Sequence, residues 1–492
     1  MNVAPRRAAA LDRDFRMIIG GEAVGAADGA TFATIDAADG RVLTEVPRGR
    51  AADIDAAVRS AHAAFRDPAW AGLKPFQRGR LVHRLGELML EAEQELATLE
   101  TLDTGKPLSQ SVGDVRGAAR YCEYYAGVAD KLEGTHIPLG PGEFGIGTHE
   151  PYGVVGIIVP WNSPINQAAR SLAPALVTGN VAVLKPAENT PLTAIRLAEL
   201  ALAAGLPPGV VNVVTGYGVE AGQPLVEHDL VRKVSFTGSV ATGQHIAGIA
   251  ATRLIPSSLE LGGKSACLVF PDADLDAVVS SMVGTVTRNA GQVCSAATRI
   301  VAHEQIVAPL LDRVRTAMES ITIGPGLQDL MLGPVVSEVQ MDRVLDLIED
   351  GRRAGAVVVT GGGRADGPDL GSGYFIAPTV FASVRPDTRI AQEEIFGPVI
   401  ATLPFQTESE AVEIANGTDY GLAAGVYTKD FDRAMRVSQG LEAGQVFVNR
   451  YLAGGVETPF GGYKKSGWGR EKGLAALADY TQLRTTIFSF DA

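Results

Sequence analysis

Val154-Val-Gly-Ile-Ile-Val159, Val181-Ala-Val-Leu184 and Val210-Val-Asn-Val-Val214 decide the fold. Each is a short, continuous apolar run without polar alternation, the pattern of a strand buried on both faces. Between the second and third, Thr190-Pro191 reads as the N-cap and first residue of a helix that stops near Gly205 and Pro207-Pro208. Such strands alternating with helices predict an α/β fold, a parallel sheet with helices on its faces. Lys233-Val-Ser-Phe236, then Thr237-Gly-Ser239, then a helix, continues the pattern.

Upstream, Asp53 to Thr104 is rich in Ala, Leu, Arg and Glu and poor in Gly and Pro, which predicts helices. Downstream of Leu261-Gly-Gly-Lys264 the alternation restarts. Ser265 to Phe270 reads as a strand, and Asp274 to about Arg288 as a helix that delivers Cys294. Further strands are expected at Ala356–Thr360, Ile400–Leu403 and Gln445–Asn449, so a second α/β domain begins near residue 261. Thr485 to Phe490 is β-branched and aromatic, a strand with no evident partner in its own domain. Such an edge is a candidate for pairing across a subunit boundary.

A length of 492 residues allows about three domains. The net charge of -13 argues against nucleic acid or an anionic membrane surface as partner, though a nucleotide cofactor needs only a local site. Cys122, Cys267 and Cys294 are too few for a disulfide framework and suit reduced thiols in a cytoplasm. The Arg- and Ala-rich start runs directly into Asp12 and Asp14 without an apolar segment, so no signal peptide is expected. No apolar run approaches the ~18 residues of a membrane span. The seven histidines lack ligand spacing, and no structural metal is expected.

Several residues carry candidate chemistry. Cys294 follows a polar Gly-Gln turn, unlike Cys267 and Cys122, which read as buried small hydrophobes. Glu260, flanked by Leu259, Leu261 and glycines, is a carboxylate in an apolar setting, where a raised pKa suits general-base work. Asn162, with Trp161 before it, ends the Val154 strand and could donate its amide to a developing oxyanion, or be a turn residue. Lys185 and Glu188 follow a strand end, where they could hold ribose hydroxyls or form a surface ion pair. Ser239 opens a helix, as a phosphate site requires and as an ordinary capped turn also does. Gly216-Tyr-Gly218-Val-Glu-Ala-Gly222 exceeds the dinucleotide fingerprint by one residue.

In their order and spacing, Pro160-Trp-Asn162, Lys185-Pro-Ala-Glu188, Phe236-Thr-Gly-Ser239, Glu260-Leu-Gly-Gly-Lys264, Gly291-Gln-Val-Cys294, Glu393-Glu-Ile-Phe-Gly-Pro398 and Pro459-Phe-Gly-Gly462 resemble the aldehyde dehydrogenase superfamily. The resemblance covers roughly residue 16 onward. It implies a Rossmann-like cofactor domain (1–129 and 151–260), a catalytic domain (261–470), and a small β bridging element (130–150 and 471–492). It implies a homodimer or homotetramer. Cys294 would be the nucleophile, Asn162 and the Cys294 N–H the oxyanion hole, and Glu260 the activator of the hydrolytic water. Lys185 and Glu188 would bind the adenosine ribose. Ser239, Gly218 and Gly222 would line the adenine and pyrophosphate site. Glu394 would bind the nicotinamide ribose, with Trp161 and Phe396 beside that ring, and Glu471 matches a position for proton relay.

Glu188 favours NAD over NADP, because a carboxylate accepts from a 2'-hydroxyl and repels a 2'-phosphate, although Lys185 nearby could tolerate one. A coenzyme A-acylating enzyme and a non-catalytic family member are the alternatives. The first usually lacks the glutamate at Glu260, and the second tends to lose the nucleophile or cofactor residues. The chain departs from the family pattern at Ser163-Pro-Ile-Asn166-Gln167-Ala-Ala-Arg170-Ser171, where Ser171 replaces a lysine. On a helix, Asn166, Gln167 and Arg170 fall close to one face. That face borders the substrate tunnel in relatives, which would suit a hydroxylated or carboxylated aldehyde. Alternatively, Arg170 points away and pairs with an acid.

Overall fold

In the computed structural model, which describes residues 3–368 and 370–490, the three apolar runs lie side by side. Residues 1, 2, 491 and 492, the outer ends of the expected cofactor domain and bridging element, lie outside the described residues. Strand Val154–Ile158 pairs in parallel with Val181–Lys185 on one side and Val231–Thr237 on the other. Val211–Val213 extends the first side and Ser257–Glu260 the second. The parallel strands therefore start in the middle of the sheet, build outward to one side, then return to build the other. Their order reverses between Val154–Ile158 and Val231–Thr237. In an open α/β sheet, ligands bind outside the strand carboxyl ends at such a reversal. Met17–Ile19 pairs antiparallel with this sheet through Val213, and Gly467–Trp468 closes the opposite edge.

The helix after Thr190 differs from the sequence reading at its start. It spans Leu192–Ala203, with Pro191 outside it and Thr190 making no side-chain cap. The Leu192 N–H donates instead to Asp103 Oδ2 at 2.9 Å. A buried carboxylate from helix Glu93–Thr104 thus satisfies the exposed donor that a local threonine was expected to cap.

Beyond Gly263 a second sheet forms. Ala266–Val269 pairs in parallel with Arg299–His303 and Ala423–Tyr427. Val399–Phe405, Thr379–Ala382 and Gln445–Val448 join in parallel, and Val357–Thr360 closes one edge antiparallel. Apolar side chains between Ala10 and Leu261 form one core, joined from the far end of the chain by Val456, Ala476, Leu477 and Tyr480. Those between Ala266 and Tyr451 form two others, one of them around Leu268, Val301 and Val426. Cys122 and Cys267 are both buried.

The C-terminal strand corrects an expectation. It runs over Thr481–Ser489 and pairs antiparallel along its whole length with Glu143–Pro151, which in turn pairs with Thr135–Gly140. The residue pattern hid the partner because Glu143-Phe-Gly-Ile-Gly-Thr-His-Glu-Pro151 is glycine-rich and polar, with little strand propensity; only the family resemblance put 130–150 and 471–492 in one β element. The terminal strand still forms one edge of this three-stranded sheet, and Leu483, Ile487, Phe488 and Phe490 are exposed on it.

Candidate active site

Four of the expected residues stand at or just beyond the carboxyl ends of neighbouring parallel strands. Lys185 ends Val181–Lys185, and Asn162 follows Val154–Ile158. Ser239 follows Val231–Thr237, and Glu260 ends Ser257–Glu260. Sheet topology alone therefore gathers them at the crevice. Ser239 caps helix Val240–Thr252 by accepting the Thr242 N–H.

Cys294 arrives from the second sheet. Helix Leu275–Thr287 starts at Asp274, whose side chain accepts the N–H groups of Asp276 and Ala277. The chain then turns through the left-handed region at Asn289, Ala290 and Gly291, with φ of 47°, 52° and 73°. A Cβ on Gly291 would lie 2.2 Å from the Gly397 carbonyl oxygen, so only glycine fits. Side chains bind this turn to the first sheet. Asn289 Nδ2 donates to the Asn162 carbonyl at 2.7 Å, and Asn162 Nδ2 donates to the Gln292 carbonyl at 2.9 Å. Gln292 Nε2 donates to the Asn289 carbonyl at 2.9 Å while its Oε1 accepts the Val336 N–H at 2.9 Å. Asn162 and the cysteine loop are thus one hydrogen-bonded unit.

Gly262 and Gly263 complete it. A Cβ on Gly263 would lie 2.5 Å from the Cys294 carbonyl oxygen, and one on Gly262 would lie 2.2 Å from Glu394 Oε2. Glu394 Oε1 accepts the Gly263 N–H at 3.0 Å. The bare glycines after Glu260 let both Cys294 and Glu394 approach the backbone.

Cys294 lies between two cavities. One, of about 190 Å³, is lined by Trp161, Ser239, Glu260, Glu394 and Phe396. The other, of about 210 Å³, is lined by Tyr121, Arg170, Phe447 and Phe460. Asn162, Gln167 and Cys294 belong to both walls. Burial pushes the Cys294 thiol up to about 11, against the pull of the Arg170 guanidinium. Burial, reinforced by Glu471, raises the Glu260 carboxyl well above its usual range. Burial raises Glu394 to about 7 although the Gly263 N–H opposes it. A half-buried thiol, a proton-holding carboxyl and an amide donor around a shared opening can perform nucleophilic chemistry on a carbonyl.

The model of the aldehyde dehydrogenase family matches residues 24–486. This chain belongs to the aldehyde dehydrogenase family. An aldehyde dehydrogenase of Enchytraeus buchholzi is 45% identical over 475 residues, spanning 96% of this chain and 95% of the relative. One from Emericella nidulans is 43% identical over 474 residues, spanning 96% and 94%. Among solved structures, the NAD+ complex of aldehyde dehydrogenase from Bacillus cereus has a TM-score of 0.96 at 41% identity and covers 99% of each chain. The P. syringae AldA indole-3-acetaldehyde dehydrogenase, solved with NAD+ and IAA, has a TM-score of 0.97 at 41% identity and covers 100% of each chain.

Within this aldehyde dehydrogenase the remaining expected residues fall as follows. Lys185 is buried, and its Nζ lies 3.3 Å from Oε2 of the part-exposed Glu188. Gly222 sits beside Lys185, where an added Cβ would come within 3.8 Å of its side chain, whereas Gly218 is exposed with open space around it. Neither glycine lines the two cavities at Cys294. Phe396 meets Trp161 edge-on with ring centroids 5.1 Å apart. Asn166, Gln167 and Arg170 do face the second cavity from helix Pro164–Val177. Arg170 is also ion-paired with Glu471, so it faces the cavity and has an acidic partner at once. Ser171 Oγ donates to the other Glu471 oxygen at 3.0 Å.

Sequence reasoning passed over four supporting residues. Gln292 read only as part of the Gly-Gln turn and Asn289 was not singled out, yet they hold Asn162 to the cysteine loop. Gln340 donates to the Phe396 carbonyl at 2.9 Å and Arg343 to the Glu394 carbonyl at 3.0 Å, clamping that segment from helix Glu338–Arg353. The signal for Asn289 and Gln292 was their position inside the cysteine motif. Gln340 and Arg343 lie in an ordinary amphipathic helix and gave none.

Proposed function

We propose that this enzyme oxidises an aldehyde to the carboxylic acid with NAD through covalent attachment to Cys294. The observation that carries the reading is the opening shared by the two cavities, where Cys294 lies beside Asn162 with Glu260 in the wall. Cys294 Sγ adds to the aldehyde carbon to give a thiohemiacetal. One amide hydrogen of Asn162 is held by Gln292, which aims the second, with the Cys294 N–H, at the oxygen that gains charge. Arg170 favours the thiolate that attacks. Glu260, made more basic by burial, accepts a proton from the water that cleaves the resulting thioester. Glu471, tied to Arg170 and Ser171 and electrostatically coupled to Glu260, is suited to relaying that proton outward.

NAD, when bound, supplies a two-electron acceptor. Its fit rests on the bare Gly262 surface, which leaves Glu394 facing the first cavity, and on Lys185 with Glu188 at the strand ends. Glu394 would take the nicotinamide ribose, Trp161 and Phe396 the ring, Lys185 and Glu188 the adenosine ribose, and Ser239, Gly218 and Gly222 the adenine and pyrophosphate. Glu188 favours NAD over NADP. The presence of Glu260 favours water over coenzyme A as acyl acceptor. The separate cores of the first and second sheets support division into a cofactor domain (1–129 and 151–260) and a catalytic domain (261–470), with 130–150 and 471–492 as bridge. The exposed apolar edge of that bridge supports a homodimer or homotetramer, and a monomer in sedimentation at micromolar concentration contradicts it. Three free cysteines suit a cytoplasmic enzyme.

The test is NADH formation over a panel of aliphatic, aromatic, hydroxylated, carboxylated and amino aldehydes, with and without coenzyme A, with Cys294→Ala alongside. Turnover that needs Cys294 and no coenzyme A is expected. Turnover by Cys294→Ala, or a requirement for coenzyme A, refutes the hydrolytic reading.

A further inference from the structure

The substrate-side cavity opens onto a vestibule of about 550 Å³, and Asp114, Ser163, Arg288, Val293 and Leu452 line both. On a chain of net charge -13, this approach is strongly positive. Lys106, Arg170, Arg288, Arg450 and Lys472 line it, and Asp114 is the one carboxylate among the lining residues. Arg170 is tied to Glu471, and Lys106 to Asp114 and Glu100. Arg288, Arg450 and Lys472 form no ion pair among the described residues. Arg288 and Arg450 are exposed and Lys472 is half-buried. A half-buried cation such as Lys472 without a counter-ion is costly unless a ligand supplies the charge.

Lys472 marks the inner end of this path. Its Nζ stands over the Phe460 ring at 5.0 Å, on the ring that the Arg170 guanidinium also approaches at 5.4 Å. It is within electrostatic reach of both Cys294 and Arg288. Its left-handed backbone, with φ of 61°, fixes where the side chain leaves Glu471-Lys472-Gly473.

We infer that the preferred aldehyde carries a carboxylate, which Lys472 and Arg288 bind in the wall of the cavity while the carbonyl reaches Cys294. This rests on the aldehyde-oxidising reading of the site. Allowing ~30 Å³ per heavy atom, the cavity of about 210 Å³ accommodates the semialdehyde of a four-carbon dicarboxylic acid. The cationic vestibule would draw such an anion in and repel a quaternary-ammonium aldehyde.

Succinic semialdehyde, butanal and betaine aldehyde are compared as substrates by kcat/KM. The wild-type enzyme is expected to prefer the semialdehyde over butanal at least tenfold, and betaine aldehyde least. Lys472→Met is expected to lower the semialdehyde-to-butanal ratio at least tenfold, mainly through KM for the semialdehyde, and Lys472→Arg to restore most of it. Arg288→Gln should lower the ratio less. A merely structural role for Lys472 would change both substrates together and leave the ratio constant, which overturns the inference. Preference for butanal or betaine aldehyde overturns it while leaving the dehydrogenase reading intact. No NADH from any aldehyde overturns the dehydrogenase reading and the inference with it.

Discussion

Replacing Glu471 by Gln strikes a dry ion pair beside Cys294. Arg170 and Glu471 have side chains only 5% and 3% exposed. The Arg170 guanidinium lies over Phe460, and Ser171 holds the second carboxylate oxygen. Water cannot replace a partner removed from such a place. Breaking a buried pair costs ~3–5 kcal/mol, whereas an exposed pair contributes ~0–1 kcal/mol. Glu471→Gln keeps the side-chain size and can keep the Ser171 bond, so the loss isolates the charge. A loss of ~3–5 kcal/mol is expected. Arg315→Ala, at the Arg315–Asp312 pair with side chains 47% and 69% exposed, should lose under ~1 kcal/mol. Arg170→Met combined with Glu471→Leu, which puts apolar groups beside Phe460, should recover most of the loss. The assay is urea unfolding followed by intrinsic fluorescence of the three tryptophans, of which Trp70 is buried in the same core, compared at a common slope. The reasoning is refuted if Glu471→Gln costs no more than Arg315→Ala, or if the double variant is no more stable than the single ones.

Three further outcomes follow. Asn162→Ala should lower kcat ~10²–10³-fold with NAD affinity retained, since one aimed amide donor is lost; unchanged kcat removes Asn162 from the oxyanion site. Gly291→Ala should destabilise the enzyme by at least ~1–3 kcal/mol for its left-handed φ of 73°, with more added by the clash on Gly397, and should abolish activity; a wild-type urea midpoint would contradict the packing. Because burial holds the Cys294 thiol at about 11, its alkylation by iodoacetamide in the free enzyme should climb through neutral pH and level off only near pH 11. The thiolate reacts, so the rate rises with pH; a plateau already at pH 8 would show a thiol that Arg170 has brought far lower.

Much of this site was legible because its residues sit at strand ends, where a local pattern fixes position. Lys185 and Asn162 each follow an apolar run, whereas Glu260 ends the serine-containing strand Ser257–Glu260 and stood out only by its Leu and Gly neighbours. Cys294 stood out by its polar flank. The Arg170–Glu471 pair was not legible, because it joins helix Pro164–Val177 to a segment near the chain's end, and its outcome took part of each alternative: Arg170 faces the cavity, yet pairs with an acid. The terminal strand's partner was hidden by glycines in residues 143–151, and the cap of helix Leu192–Ala203 by a carboxylate supplied from another helix. Long-range pairing of this kind leaves no periodicity in the sequence. The cationic approach was equally invisible, since Arg288, Arg450 and Lys472 are far apart in the chain and the overall charge is negative.

The most direct test of the account is the mass of Glu260→Gln enzyme after mixing with aldehyde and NAD. Attack by Cys294 and oxidation should proceed once, giving NADH close to one per active site, and the acyl group should then remain on Cys294 because water is no longer activated. The account predicts a stoichiometric burst with the acyl mass mapped to the Cys294 peptide and absent from Cys294→Ala. Full steady-state turnover by Glu260→Gln, or a burst with no acyl group on Cys294, would contradict it.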